Sequence, residues 1–293
     1  MAGGIDHLVL CVRDLAQARE RYRRFGFTLT PPARHPFGTA NSLVQFAERS
    51  FLELLTVADP NAIPPMQPGF FSFGAYNRDF LKLREGCSML VSESGNAEAD
   101  SQAYRAAGLG DFAPFYFERP AKLPDGSLAT VAFTLAFAVD SRLPEAAFFA
   151  CQQHAPELFW KADYQRHANG ALGIEEVALV AANPVELSLL FGTLTRSSVI
   201  DVDADGLSAR TARGVLRALT PAAFSRRYAG AAPPALTRGP RFAGCYISVE
   251  NLDAVRALLA PGGVDFSESD GTLVIRPGDA FEFALGFVQR SKR

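Results

Sequence analysis

The sequence has little cysteine and no long apolar run. Its four cysteines, Cys11, Cys87, Cys151 and Cys245, stand far apart among 293 residues, with no CxxC pair or zinc-finger spacing. We therefore expect four reduced, buried thiols and a cytoplasmic protein. No apolar stretch approaches the roughly 20 residues that span a bilayer, and no signal-peptide pattern stands at the N-terminus, so no membrane association is expected.

An excess of one charge sign is also missing. The formal net charge is -2, and the lysines and arginines are scattered along the chain, which argues against a nucleic-acid partner. No P-loop, no GxGxxG after a strand and no GxSxG occurs, so neither a nucleotide cofactor nor a serine hydrolase is expected. Phenylalanine is abundant instead, with 24 residues, which suits sheet faces packed on helices or around a ligand.

One order of elements recurs along the chain. An apolar strand over residues 5–12 precedes a helix that Asp14 can cap and Gly26 can end. Three further strand-like segments follow, at 27–30, 41–46 and 51–57.

The same order begins again near residues 87, 174 and 242. The sequence therefore predicts an α+β fold of four βαβββ modules, paired into two cup-shaped mixed sheets with helices outside. The N-terminal lobe would span 1–161 and the C-terminal lobe 174–293.

Three segments between these elements are predicted to be irregular. They are the crossings 60–74 and 228–240 and the polar connector 162–173, where His167 is expected to make a local cap.

A histidine and a glutamate stand on two apolar strands of the first module. Strand alternation places His7 on the face opposite Asp6 and Leu8, and it places Glu53 opposite the leucines beside it. If the leucines pack on the helix, His7 and Glu53 both point into the cup. An unpaired buried carboxylate is costly, so either a metal or substrate contact or a plain His–Glu pair is expected here.

The segments "IDHLVLCVRDLAQARERYRRFGFTLT" and "RHPFGTANSLVQFAERSFLELLTV" resemble the vicinal oxygen chelate superfamily, most of all its glyoxalase-like branch. The more specific part is the His-Pro-x-Gly-Thr-x-Asn stretch at 35–41, followed by a strand with a central glutamate. The resemblance is good over 4–59, fair for "FFACQQHAPELFW" and "HANGALGIEEVALVA", and weak elsewhere.

This resemblance implies cups whose first and last strands carry His, Glu or Gln ligands of a divalent metal such as Zn, Ni, Mn or Fe. The metal would hold two adjacent oxygens of a substrate and act as a Lewis acid. The superfamily also includes metal-free proteins that sequester small molecules, so the fold alone does not give the reaction.

The second module departs from this ligand pattern. It has residues 87–89 and Phe149 or Ala150 where ligands are expected. The nearest ligand-capable groups are Gln152, Gln153 and His154, just past that strand, and a set of His7, Glu53 and His154 would suit a transition metal. The alternative is that His154 is a surface residue before a short helix.

Other residues are candidates for substrate contact. His35, Thr39 and Asn41 would line the mouth of the cup, and His35 would carry a proton if it titrates near neutrality as an ordinary histidine does. A purely structural loop is the alternative. Trp160 and Phe149 are expected in an apolar lining that suits a small, partly hydrophobic ligand.

The second lobe has Glu176 and Glu282 at the positions that we expect to match His7 and Glu53. Two carboxylates could bind a hard cation or share a proton. The favoured alternative is that they pair with arginines such as Arg210, Arg213 or Arg276, which makes this lobe structural. No histidine follows His167, so iron-dependent ring cleavage is not expected there.

Two functions fit these observations. One is a metal-assisted lyase or isomerase of glyoxalase type that acts on a small oxygenated molecule, with Glu53 and His35 as proton carriers. The other is a metal-free protein that sequesters an aromatic or amphipathic small molecule. Exposed sheet edges would also allow two copies to form a homodimer.

Overall fold

The computed structural model describes residues 3–122, 128–197 and 199–290. The first sheet contains β1 (Ile5–Cys11), β2 (Ala33–Arg34), β3 (Thr39–Gln45), β4 (Phe51–Val57), β5 (Gly86–Glu93), β6 (Phe115–Lys122), β7 (Leu128–Ala138) and β8 (Ala147–Gln153). The second contains β9 (Ala171–Val180), β10 (Asp201–Val202), β11 (Gly206–Arg210), β12 (Val215–Leu219), β13 (Arg241–Val249), β14 (Phe266–Ser269), β15 (Thr272–Ile275) and β16 (Ala284–Gln289).

The helices are α1 (Leu15–Arg24), α2 (Phe73–Leu83), α3 (Ala97–Ala106), α4 (Pro156–Phe159), α5 (Ser188–Thr195), α6 (Pro221–Arg227) and α7 (Leu252–Leu259). Short side-chain caps begin most of them, as where Asp14 accepts a hydrogen bond from the Gln17 amide. Within the described ranges, none of these helices has both the length and the apolar character needed to cross a membrane.

The two sheets share one topology. The first has the order β2-β3-β4-β1-β5-β8-β7-β6, and the second has the order β10-β11-β12-β9-β13-β16-β15-β14. In each, the first strand of a module runs parallel to its last strand, and the two first strands meet antiparallel at the centre. The predicted α+β fold of four βαβββ modules, paired into two cup-shaped sheets, is confirmed.

The lobes pack back to back. One apolar cluster joins the convex faces of both sheets with α1, α3, α5 and α7, and Phe148 of the first sheet meets Phe242 of the second edge to face. The concave faces have separate clusters. α2 packs in the first cup and α6 in the second. The cups therefore open away from each other.

Several sequence expectations about local structure were wrong. Residues 27–30 are not a strand, and the edge strand β2 lies further on, at Ala33–Arg34. The crossing 60–74 leads into α2, which Ser72 caps by accepting a hydrogen bond from Ala75 N. Likewise α6, capped by Thr220, precedes the crossing 228–240. Both helices were missed: a glycine stands in the first turn of α2, and α6 has only seven residues and begins at a proline.

His167 ties the connector to the first lobe. Its Nδ1 accepts a hydrogen bond from the Thr28 amide at 3.1 Å, and its Nε2 lies 2.8 Å from the carbonyl oxygen of Gln45. A ring nitrogen that accepts from an amide must be unprotonated, so this geometry selects the neutral imidazole. Burial accordingly lowers the pKa of His167 to about 4.

This geometry predicts acid-sensitive folding. Because the pKa of His167 is lower in the folded chain than its ordinary value, its contribution to stability is complete above about pH 6.5 and is lost as the pH falls toward 4. When the pH falls from 7 to 5, the free energy of unfolding of the wild type should therefore drop by about 1 kcal/mol more than that of His167→Gln. Urea titrations of both chains at the two pH values measure this difference. His154→Gln, at an exposed histidine, should behave as the wild type, and equal losses in all three chains would contradict this expectation.

Candidate functional site

A β-bulge in β1 shapes the floor of the first cup. Ile5 pairs with Ser92 and His7 with Val91, so Asp6 is an extra residue without a partner on β5. The bulge breaks strand alternation, and Asp6 is therefore buried beside His7 instead of facing the helices. The expected placement of Asp6 on the opposite face was wrong, because a bulge cannot be read from an alternating pattern.

Asp6 fixes the His7 ring. Asp6 Oδ2 lies 2.6 Å from His7 Nδ1, and Asp6 Oδ1 accepts a 3.1 Å hydrogen bond from the Gln153 amide. Phe51 stacks on the imidazole with ring centroids 4.1 Å apart. Since a carboxylate can only accept, Nδ1 carries the proton, and Nε2 faces the cup.

Glu53 stands opposite His7, as strand alternation predicted. Its Oε2 is 3.8 Å from His7 Nε2, and its Oε1 accepts a 2.5 Å hydrogen bond from the Asn41 amide. Burial raises the pKa of Glu53 above its usual range, while His7 and the Asn41 hydrogen bond oppose that rise. One carboxylate oxygen of Glu53 is thus directed toward His7, and the other is held by Asn41.

Asn41 connects Glu53 to His35. The Asn41 amide lies 3.3 Å from His35 Nε2, and His35 Nδ1 lies 2.8 Å from the Thr39 hydroxyl. Asn41 donates on both sides, so His35 accepts at Nε2 and is neutral. Burial lowers the pKa of His35 to about 3, so it does not titrate near neutrality as an ordinary histidine would. His35 and Thr39 therefore orient Asn41.

The wall of the cup is aromatic. A small cavity of about 50 Å³, open at its mouth, lies between the polar residues and seven phenylalanines. These are Phe37, Phe51, Phe73, Phe117, Phe133, Phe149 and Phe159. Phe149 is thus part of the lining. Trp160 contacts two lining rings, Phe51 and Phe159, at centroid distances of 5.9 and 5.0 Å, without lining the space itself.

Two further polar residues line the cup: Gln153, which was named as ligand-capable, and Arg119, which the sequence analysis missed. Gln153 continues the inward parity of Phe149 and Cys151 at the end of β8, and Arg119 continues that of Phe117 on β6. A period of two was visible in both segments. Arg119 was overlooked because the sequence pattern of this strand was taken to end at Glu118, whereas β6 continues to Lys122.

His154 is not brought to the cup. It follows β8 and continues the face of the strand that carries Gln152, which is opposite to the face that lines the cup. Its side chain is exposed, lies 2.7 Å from the Thr134 hydroxyl and stands beside Tyr116. Its predicted place as a third ligand with His7 and Glu53 is therefore corrected. Strand parity, continued one residue past β8, turns the ring outward.

The second cup is closed by its own side chains. Tyr228 stacks between Phe224 and Tyr246 at centroid distances of 4.6 and 4.7 Å. Glu176 corresponds to His7 in β9, but it pairs with Arg217 at 2.6 Å and with Arg227. The expected ion pairing with arginines is present, through partners other than Arg210, Arg213 or Arg276.

Glu282 is not the counterpart of Glu53. It lies before β16 in a loop with a left-handed φ of 58° and accepts a hydrogen bond from the Glu85 amide. Register gives the true counterpart: Val9 pairs with Glu53 in β4, and the matching Ala178 pairs with Arg217 in β12. The second lobe thus has a glutamate and an arginine where the first has a histidine and a glutamate.

The donor atoms of the first cup fit a divalent ion. The 3.8 Å between His7 Nε2 and Glu53 Oε2 is below twice a metal–ligand bond of about 2.1 Å, so one ion can contact both. In the described ranges no three His, Cys, Asp or Glu side chains converge to hold a metal. Gln153 Oε1 is a further oxygen donor, because it is buried and has no hydrogen-bond partner in the described structure.

Paired βαβββ modules around a cup with a His–Glu pair define a protein of the vicinal oxygen chelate fold. The sequence profile of the glyoxalase-like domain matches residues 5–195. Since this is more than half of the chain, the protein belongs to the glyoxalase-like domain family. No curated protein gives a significant match.

Solved structures share the fold at low sequence identity. A hypothetical protein from Staphylococcus aureus superposes with a TM-score of 0.69 at 13% identity, covering 98% of this chain and 99% of that one. A xylose isomerase-like TIM barrel/4-hydroxyphenylpyruvate dioxygenase fusion protein gives 0.56 at 13%, covering 100% of this chain and 49% of its own. A mutant 4-hydroxymandelate synthase from Streptomyces coelicolor gives 0.53 at 11%, covering 99% and 93%.

Proposed function

We propose that the first cup is the active site of a metal-assisted enzyme, a lyase or isomerase that acts on a small oxygenated molecule. The observation that carries this proposal is the His7–Glu53 pair. Two buried ligand-type side chains face each other in an apolar cup, and a dedicated carboxylate holds the histidine. Such a carboxylate–histidine arrangement is what supports a metal-binding imidazole in proteins.

His7 Nε2 and Glu53 Oε2 would hold the ion, with Gln153 Oε1 as a further donor. When bound, a divalent ion would polarise adjacent substrate oxygens and stabilise developing negative charge. Asp6 keeps His7 in one tautomer, and Asn41 holds the second oxygen of Glu53. The phenylalanine wall excludes water, which strengthens every electrostatic interaction inside the cup.

Glu53 is also the group best suited to move a proton. Its raised pKa brings the carboxyl closer to neutral pH, where a group can both accept and release protons. His35 is neutral and committed to Thr39 and Asn41, so it is assigned a positioning role instead of the acid–base role. When Glu53 is not a ligand of the ion, its Oε2 is therefore the atom that we assign to proton transfer at a carbon next to a substrate carbonyl.

The second candidate is a metal-free protein that sequesters a small aromatic or amphipathic molecule. The seven phenylalanines of the lining and the outward position of His154 favour it, since they leave a wall built mainly for apolar contact. It predicts ligand binding that a chelator does not change.

Metal titration tests the proposal. Chelator-treated protein should take up one Zn²⁺, Ni²⁺, Mn²⁺ or Fe²⁺ per chain in calorimetry. His7→Ala should weaken uptake of the preferred ion by at least about a hundredfold, because an imidazole ligand is lost. His154→Ala should bind as the wild type does. If the wild type takes up none of these ions, the metal-assisted proposal fails.

A further inference from the structure

Arg119 is placed differently from the other partly buried arginines of the chain. Arg84 and Arg241 contact Glu145, Arg217 contacts Glu176 and Arg213 contacts Glu93. Among the described residues, no carboxylate lies within ion-pair distance of Arg119, and no hydrogen bond holds its guanidinium. Arg119 is partly buried between aromatic side chains, where an unmatched cation is costly.

Arg119 lies at the entrance of the cup. Arg119 lines the aromatic space that contains His7 and Glu53, and it also lines a wider outer groove that includes Lys161 and Tyr164. Asn41, Leu43 and Phe159 also line both spaces, so a molecule that passes from the groove into the cup moves between these side chains and the guanidinium. Arg119 therefore meets the end of a ligand that remains nearest the mouth.

No carboxylate among the described residues of the cup forms a direct ion pair with Arg119. Asp6 is hydrogen-bonded to His7 and Gln153. Glu53 is held by Asn41 and faces His7, and it acts on Arg119 only through space. Within the described part of the chain, the guanidinium donors at the entrance thus remain available to a ligand, next to a wall that buries apolar surface.

We infer that the cup binds monocarboxylates with an aromatic body, with the ring among the phenylalanines and the carboxylate on Arg119. A planar guanidinium suits a carboxylate because it offers two parallel N–H donors. The inference rests on the proposed role of the cup as a substrate site and names the class of substrate. In this assignment Arg119 is a binding residue, distinct from the His7–Glu53 pair.

Matched acid and amide probes test the inference. Benzoate, phenylacetate and cinnamate are each compared with their primary amides, which keep the shape and lose the charge. Binding is followed in EDTA by calorimetry and by the fluorescence of Trp160, the single tryptophan. For the wild type, at least one acid should bind about tenfold or more tightly than its amide, as a charged hydrogen-bonded pair provides.

Arg119→Gln should reduce the affinity for that acid to the level of the amide. The affinity for the amide should stay unchanged, which shows that the cup of the variant is intact. Arg119→Lys should keep part of the preference. Lys161→Gln removes a charge from the outer groove only, and it should retain the preference within about twofold. The inference is overturned if no acid exceeds its amide in the wild type, if EDTA abolishes the preference, or if the preference survives in Arg119→Gln.

A failure here is separable from a failure of the proposed enzyme. Glu53→Gln should keep the preference for the acid, because the carboxylate is held at Arg119. If His7-dependent metal uptake is found and no acid is preferred, the enzyme proposal stands and the substrate class is wrong. If acids are preferred and no metal is taken up, the binding site stands and the metal-assisted chemistry fails.

Discussion

Glu53→Gln is expected to slow proton exchange on the substrate by about a hundredfold to ten-thousandfold, the usual contribution of a positioned acid–base group. The amide keeps the shape of the side chain and its contact with Asn41, but it cannot accept a proton. Exchange is measured in D2O by NMR, as loss of the hydrogen signal on carbon next to the carbonyl of α-keto acids and α-ketoaldehydes with aromatic bodies.

The pH profile adds a second measure of the same group. Because burial raises the pKa of Glu53 above 4.5, the rate should fall on the acid side at a higher pH than an ordinary glutamate would give. Glu157→Gln, at an exposed position on α4, is the matched control and should leave the rate unchanged. Full exchange activity in Glu53→Gln would refute the assignment of Glu53 to proton transfer.

Glu176→Ala is expected to lower the free energy of unfolding by about 2 to 4 kcal/mol. Glu176 is 3% exposed and neutralises both Arg217 and Arg227. Its removal leaves two guanidinium groups without a counter-charge in the filled cup. Both arginines keep some contact with water, which holds the loss toward the lower end of that range. Urea unfolding of the variant and the wild type measures it.

The preceding residue provides the control. Glu175 is exposed, so Glu175→Ala should change the free energy of unfolding by less than about 0.5 kcal/mol. Metal uptake by the first cup should be the same in both variants, because the two cups open in opposite directions. Equal stability of Glu175→Ala and Glu176→Ala would show that the ion pairs of the second cup contribute nothing.

The sequence was sufficient for features that follow from periodicity. A strand period of two placed His7 and Glu53 on one face, and the recurring order of elements gave the four modules. Both depend on local patterns that repeat over several residues. The helices α2 and α6 were not predicted, because Gly74 interrupts the first turn of α2 and α6 spans only seven residues that begin at Pro221.

Other features of the site depend on tertiary structure. The bulge at Asp6 depends on how β1 pairs with β5, which no single strand reveals. The counterpart of Glu53 was misplaced because short apolar strands align with one another at several offsets, whereas hydrogen-bonded register identifies Arg217. His154 was proposed as a metal ligand because imidazole binds metals. Strand alternation from the inward-facing Phe149 and Cys151 places residue 154 on the outward face, and this was not applied.

The bulge is present in both lobes. In β9, Ile174 pairs with Ile247 and Glu176 with Tyr246, so Glu175 is the extra residue there, as Asp6 is in β1. The bulge breaks strand alternation in both lobes without fixing where the extra side chain points, because Asp6 is buried and Glu175 is exposed. For protein engineering, a histidine at position 176 would therefore lack a supporting carboxylate, and both that support and the side chains of α6 that fill the cup are the parts to redesign.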